Sequence, residues 1–340
     1  MKDIFDVCKF GDLTVQSRVI RTGLWESENL ENKQLTPEVL KRYEKIASSG
    51  VGIITTELIS MFPNDGFSPY THSINSPTFV KDFSEVVHAC HMYDTPVFAQ
   101  VGFIRYGNGD KQNMDANDLT IEDIRSIQSN FIIAAKKISF AGFDGIQINM
   151  GNYYFLARFV SSLINGRTDK YGGNTENRIR IVTDIIRLIK KSFDLHINCR
   201  VNVVDKESVE ICKLLEKAGA DSIQITKPRS PQYFTRSNKG NDLLENADEI
   251  AKNVNIPVVL GGGISSQNEI NDLINRTNIE FVSMQRPFVA DPYMLLTGEL
   301  KETASADVKP ATTVTGKKQV TVLYITMTTA SIRYCPDHSF

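Results

Sequence analysis

The stretch Ala141-Gly142-Phe143-Asp144-Gly145-Ile146-Gln147-Ile148-Asn149-Met150 decides the fold. Ahead of it, Asp118-Leu119-Thr120 opens an amphipathic segment over Ile121–Phe140, and a polar cap before an apolar stripe is how a helix starts. Gly142 can take the left-handed conformation that ends a helix. The apolar run that follows, Gly145–Met150, reads as a short buried strand. The same helix end recurs in Ser49-Gly50-Val51-Gly52 and in Lys217-Ala218-Gly219-Ala220-Asp221.

Working outward, short runs rich in β-branched residues alternate with helix-like segments. Eight are present: Arg18–Thr22, Val51–Leu58, Pro96–Val101, Gly145–Met150, His196–Val203, Asp221–Thr226, Pro257–Gly261 and Glu280–Met284. Thr36-Pro37-Glu38 opens a helix over Val39–Ser49, and Ser265-Ser266-Gln267 opens one over Asn268–Asn275. Eight such units within about 300 residues predict an α/β fold of the (β/α)8 TIM-barrel type. A doubly wound sheet usually has fewer strands and a glycine-rich loop after its first, and no G-x-G-x-x-G follows the first run. In a barrel the active site lies where the strands end. The longest connection, from Gly151 to about Glu176, is read as a functional loop.

The chain has 340 residues and 41% hydrophobic residues, enough for a large core. Its 38 Lys+Arg against 40 Asp+Glu leave no general field for nucleic acid or anionic lipid. The start, Met1-Lys2-Asp3-Ile4-Phe5-Asp6, does not resemble a signal peptide, and no apolar run has membrane-spanning length. The five cysteines (Cys8, Cys90, Cys199, Cys212, Cys335) are scattered, indicating neither a disulfide scaffold nor a zinc site. A soluble cytoplasmic protein acting on small molecules is expected, with homo-oligomerisation open.

Several strand ends carry polar residues. Gly261-Gly262-Gly263 ahead of a capped helix, together with Gln285-Arg286, reads as a barrel phosphate site, or alternatively as a tight turn and a surface arginine. Gln100, Asn149 and Arg200 interrupt runs that should be apolar. A lumen arginine needs an anionic or electron-rich partner, a bound group or a carboxylate such as Glu57 or Asp205. Asn149, Asn152 and Tyr154 lie close in sequence. Carboxamide N–H groups and a phenol suit reduction or enolisation beside a carbonyl, although each residue alone could serve only the loop or the core. No Ser-His-Asp set, metal cluster or P-loop competes.

Gly145-Ile146-Gln147-Ile148-Asn149-Met150-Gly151-Asn152-Tyr153-Tyr154-Phe155, followed by Asn165-Gly166-Arg167-Thr168-Asp169-Lys170-Tyr171-Gly172-Gly173-Asn174-Thr175-Glu176-Asn177-Arg178, resembles the old yellow enzyme family of FMN-dependent NAD(P)H:flavin oxidoreductases. The likeness extends to Ser17–Glu26, Gln100, Arg200, Gly262-Gly263-Ile264 and Arg286-Pro287, spanning about residues 3–300. It implies that Thr22, Gly23, Leu24 and Trp25 line the flavin ring, with Leu58 also on the cofactor. It implies that Gln100 and Arg200 bond the pyrimidine edge, and that Gly262, Gly263, Gln285 and Arg286 hold the phosphate. Asn149 and Asn152 match the pair that grips a substrate oxygen, and Tyr154 matches the proton donor. The implied activity passes hydride from NADH or NADPH through flavin N5 to an enone, quinone, nitro compound or similar acceptor.

The sequence departs from the family pattern in places. The substrate pair is usually His with His or Asn and is here Asn with Asn; Val101-Gly102-Phe103-Ile104-Arg105 replaces a histidine-containing segment; Gln285 replaces a glycine. A catalytically impaired FMN-binding barrel is the alternative these changes raise, and a sugar-phosphate isomerase or aldolase has fold analogy alone behind it. Residues 1–300 are read as the barrel and 301–340 as an atypical, poorly ordered tail, rich in Thr at 312–315 and 326–329. Reading codons for Pro310–Thr321 one base early permits a Cys-Asn-Asn-Cys segment like that of some relatives. A frameshift from about residue 303 is therefore expected, and the gene sequence tests it.

Overall fold

The computed structural model describes residues 1–23, 35–63, 65, 71–109, 111–203, 207–226, 243–262, 264 and 266–297. Leu24, Trp25, Asp205, Gly263, Cys335 and the whole 301–340 tail lie outside them. In chain order the strands are β1 (Cys8–Phe10), β2 (Leu13–Val15), β3 (Val19–Arg21), β4 (Ile53–Ser60), β5 (Val97–Gly102), β6 (Tyr106–Asn108), β7 (Lys111–Met114), β8 (Gly145–Met150), β9 (His196–Asn202), β10 (Ser222–Thr226), β11 (Val258–Gly261) and β12 (Phe281–Met284). The helices are α1 (Pro37–Ala47), α2 (Phe79–His91), α3 (Ile121–Phe140), α4 (Phe155–Val160), α5 (Thr175–Ser192), α6 (Glu207–Ala218), α7 (Leu244–Asn253), α8 (Gln267–Arg276), α9 (Arg286–Ala290) and α10 (Met294–Thr297).

All eight expected runs become the strands of one closed parallel barrel, β3-β4-β5-β8-β9-β10-β11-β12, with β12 pairing back onto β3 through Val282 and Val19. The cap residues act as their chemistry dictates. Thr120 and Asp123 form a reciprocal capping box on α3, and Ser266 Oγ accepts from Glu269 N at 3.2 Å to start α8. Gly50, Gly142 and Gly219 all have positive φ where their helices stop.

Two departures concern connections. The stretch after β8 is no continuous loop, because Phe155, Leu156, Phe159 and Val160 bury one side of the short helix α4. The hairpins β1–β2 and β6–β7 are too short to show an apolar period in the sequence.

One core lies between the barrel wall and the helices, including Ile54, Ile124, Ile146, Ile185 and Ile223. A second, separate one fills the barrel floor with Phe10, Val15, Ile20, Ile53, Phe98, Val259 and Phe281. Phe10 from the β1–β2 hairpin plugs that end, stacked on His196 at 5.0 Å and edge-on to Phe281 at 4.8 Å. Side chains alternate across a strand, so each floor residue is followed two positions later by one higher in the lumen: Ile20 by Thr22, Phe98 by Gln100, Phe281 by Ser283.

The N-terminal segment latches onto the last units of the ring. Lys2 N donates to Asn275 Oδ1 at 2.8 Å, Asn275 Nδ2 returns a bond to Lys2 O at 2.7 Å, and Ile4 N donates to Asn271 Oδ1 at 2.9 Å.

Candidate active site

The ends of β5, β8 and β9 meet at the barrel mouth through one atom. Gln100 Oε1 accepts from Asn149 Nδ2 at 2.7 Å and from Arg200 Nη1 at 3.4 Å, while Gln100 Nε2 donates to Thr56 O at 3.2 Å. Asn149 and Gln100 are almost wholly buried and Arg200 is half-buried. Arg200 thus meets a carboxamide; Glu57 N donates to the Tyr43 hydroxyl at 3.3 Å, and the Tyr43 ring faces Arg21. Burial pushes the Tyr43 hydroxyl up to about 12.

Asn149 is further fixed because its Oδ1 accepts from Gly151 N at 2.8 Å, leaving one Nδ2 proton uncommitted among the described residues. Gly151 is closely surrounded, since a Cβ there would sit 2.9 Å from Thr226 Cγ2 and 3.2 Å from Asn149 Oδ1. Asn152 takes a left-handed φ of 53° and is held by a reciprocal pair, its N donating to Asn202 Oδ1 at 2.7 Å and its O accepting from Asn202 Nδ2 at 2.6 Å. Tyr154 caps α4, half-buried, with its N bonded to Gly151 O at 3.3 Å.

The β3 end completes the rim. Thr22 N donates to Met284 O at 2.9 Å, and Gln285 Nε2 reaches Gly23 O at 3.0 Å, so Gln285 supports the β3 loop. Gly23 lies against Thr56 and Gln100: an added Cβ would be 1.9 Å from Thr56 O and 2.4 Å from Gln100 Nε2. Leu58 is buried beside Gly102, whose Cβ would meet Leu58 Cδ1 at 3.2 Å and Asn149 Cβ at 3.4 Å.

At the expected phosphate side, Gly262 has a φ of 78° and a Cβ there would meet nothing within 4 Å. Its N donates to Ser283 O at 3.2 Å. Arg286 opens α9. The structure therefore brings together Thr22, Gly23, Leu58, Gln100, Asn149, Arg200 and Gln285, with Asn152 and Tyr154 on the connection above β8.

The long motif after α4 does structural work. Arg167 Nη1 donates to Ala116 O and Leu119 O, both at 2.7 Å, and its Nε bonds Asp169 at 3.1 Å, an interaction that holds the Asp169 carboxyl below its ordinary range. Asn165 Nδ2 ties Phe159 O to Tyr171 O, and Arg178 joins Val160 O, Gly173 O and the Glu207 carboxylate. These bonds clamp the segment that presents Asn152 and Tyr154.

Sequence reasoning missed Thr56, Asn202 and a buried polar layer of Gln147, Asn198, Ser222, Gln224 and Ser283 beneath the rim. The signal was there, since Gln147 and Asn198 each stand two residues before a lumen polar residue that was noticed, Asn149 and Arg200. Among the described residues no group of His, Cys, Asp and Glu could hold a metal ion, and no helix is long and apolar enough to cross a membrane.

Fold and site together define a (β/α)8 barrel with a carboxamide–guanidinium cluster at the C-terminal ends of its strands. Residues 3–302 match the model of the NADH:flavin oxidoreductase / NADH oxidase family, and the chain belongs to that family. It is 25% identical over 326 residues to an NADH oxidase of Thermoanaerobacter brockii, covering 85% of this chain and 50% of that protein. It is 23% identical over 314 residues to an NADPH dehydrogenase of Halalkalibacterium halodurans, covering 83% and 89%. The chain therefore spans half the length of the first relative and most of the second. The solved structure of the old yellow enzyme homologue from Zymomonas mobilis superposes with a TM-score of 0.71 at 22% identity, covering 86% of this chain and 90% of that one. Its likeness bears on the fold.

Proposed function

We propose that the protein is an NAD(P)H-dependent flavin oxidoreductase that binds FMN at the barrel mouth and reduces an electron-poor small molecule such as an enone, quinone or nitro compound. The observation that carries this reading is the convergence of Gln100, Asn149 and Arg200 at one point of the rim. The donor set fits FMN: a carboxamide and a fixed cation suit the polar edge of a flavin, and the open, positive-φ turn at Gly262 suits close approach of a phosphate. FMN, when bound, accepts hydride from a nicotinamide and delivers it from N5.

The chain's own residues then have distinct tasks. Gln100 and Arg200 orient the cofactor, and the Arg200 charge favours extra electron density beside it. Thr22, Gly23 and Leu58 shape its bed, together with Leu24 and Trp25, and Gly262, Gly263, Gln285 and Arg286 serve its phosphate end. Asn149 offers its one uncommitted N–H to a substrate oxygen and Asn152 offers its carboxamide, stabilising negative charge that develops there. Tyr154 Oη supplies the proton to the neighbouring substrate carbon. Three buried free thiols, Cys90, Cys199 and Cys212, support a reducing, cytoplasmic setting.

The test is the visible spectrum of the purified protein before and after anaerobic NADH or NADPH, with the released flavin identified. Bound FMN that bleaches is expected, and Tyr154→Phe should keep the bleaching while slowing turnover with an enone about 100-fold or more. Absence of flavin after reconstitution would overturn the reading.

A further inference from the structure

The lumen beneath the rim is polar where barrels usually pack branched apolar residues. His196, Asn198, Ser222, Gln147, Gln224 and Ser283 are all buried there. Groups so enclosed bond mainly to one another, Gln147 Oε1 being left without a partner among the described residues, and their bonds have direction because each carboxamide has a donor end and an acceptor end.

Burial holds His196 down to about 3, so its ring is neutral. Ser222 Oγ lies 2.8 Å from His196 Nε2 and accepts from Asn198 Nδ2 at 2.7 Å, which commits the Asn198 amide nitrogen and leaves its oxygen to accept. Asn198 Oδ1 accepts in turn from Gln147 Nε2 at 2.7 Å, and the same nitrogen donates to Gln224 Oε1 at 2.8 Å. With its oxygen so engaged, Gln224 presents Nε2 to Thr22 Oγ1 at 3.0 Å and to Ser283 Oγ at 3.2 Å.

Thr22 is the last lumen position before the rim. Its hydroxyl receives a proton from Gln224, and no acceptor among the described residues takes its own. If the Gln224 amide alone were reversed, with Gln147 donating to it as it does here, its oxygen would capture that proton and its nitrogen would oppose the nitrogen of Gln147. The order of donors set from below therefore decides which way the Thr22 O–H points.

We propose that Gln224 is a positioning residue of the cofactor site, donating to Thr22 Oγ1 so that the threonine proton is held free for the bound flavin. Gln147 enforces this by fixing the Gln224 amide. The inference rests on the FMN reading above. A hydroxyl donor aimed at the ring stabilises the electron-richer form, so the device sets the cofactor's potential from a layer that never touches it.

The experiment measures the midpoint potential of bound FMN in the holoprotein, by anaerobic equilibration with a reference dye. Gln224→Met keeps the volume and removes the donor. It should lower the reduced-to-oxidised ratio at fixed potential about tenfold, about 30 mV for a two-electron couple. Thr22→Val should shift it equally, the double variant no further than either single one, and Ser283→Ala not at all. Gln147→Met gives a smaller shift of the same sign and carries the test if Gln224→Met does not fold. A wild-type potential in Gln224→Met or in Thr22→Val, or additive shifts in the double variant, would overturn the proposal while leaving FMN binding intact. A wild-type protein that takes up no FMN overturns both this and the reading it rests on.

Discussion

At Gly23 the absence of one carbon decides whether the rim can form. A Cβ there would sit 1.9 Å from Thr56 O, a backbone atom that cannot swing aside, and 2.4 Å from Gln100 Nε2. Gly23→Ala should destabilise the protein by about 1–3 kcal/mol and abolish tight FMN binding, read by fluorescence quenching on titration; quenching like that of wild type would refute this. Asn149 poses a subtler case. A carboxamide donates but cannot take up a proton, whereas imidazole can accept one from a phenol and bind the phenolate as a cation. Asn149→His should therefore tighten binding of phenol-type ligands at alkaline pH by about 1 kcal/mol, and unchanged affinity would count against it. Residues such as Gln100, Asn149 and Arg200 stood out in the sequence because a polar side chain interrupts an apolar run. Their partners were not legible, because which oxygen faces which nitrogen depends on register between strands far apart in the chain.

The elements were legible wherever local chemistry forces them. Thr120, Ser266 and the positive-φ glycines 50, 142 and 219 mark helix boundaries that the structure reproduces to within a residue or two. The segment after β8 defeated that logic, since α4 is held by distant carbonyls and carboxylates more than by its own sequence. Arg178 is the central tie, reaching α4, the Gly173 turn and the first residue of α6. Lysine cannot reproduce a three-way fork. Arg178→Lys should lose about 2–3 kcal/mol in urea unfolding and open residues 151–174 to limited proteolysis. Equal cleavage rates in the two proteins would show that the clamp is redundant.

The molecule as a whole should be acid-sensitive for an identifiable reason. His196 and His72 are held by burial to about 3 and about 4, below the ordinary 6.5 of an exposed imidazole. Between those values the unfolded chain binds more protons than the folded one, so stability falls as pH drops below about 6.5 and continues to fall toward 3. Urea unfolding at about pH 7 and about pH 5 should show the loss, and His196→Gln should reduce its slope; an unaltered slope would place the acid sensitivity elsewhere.

The seam between β12 and β3, reinforced by the latch from Lys2 and Ile4 to α8, joins the first barrel strand made to the last. A ribosome delivers β3 early and β12 only after residue 284 has emerged. Throughout that interval the sheet is open, and its free edges can pair with those of another nascent chain. Translation that stops before β12 releases a chain with no means of closing. Closure is therefore the last event the sequence order permits, and both free edges of the sheet are paired only once β12 has been made.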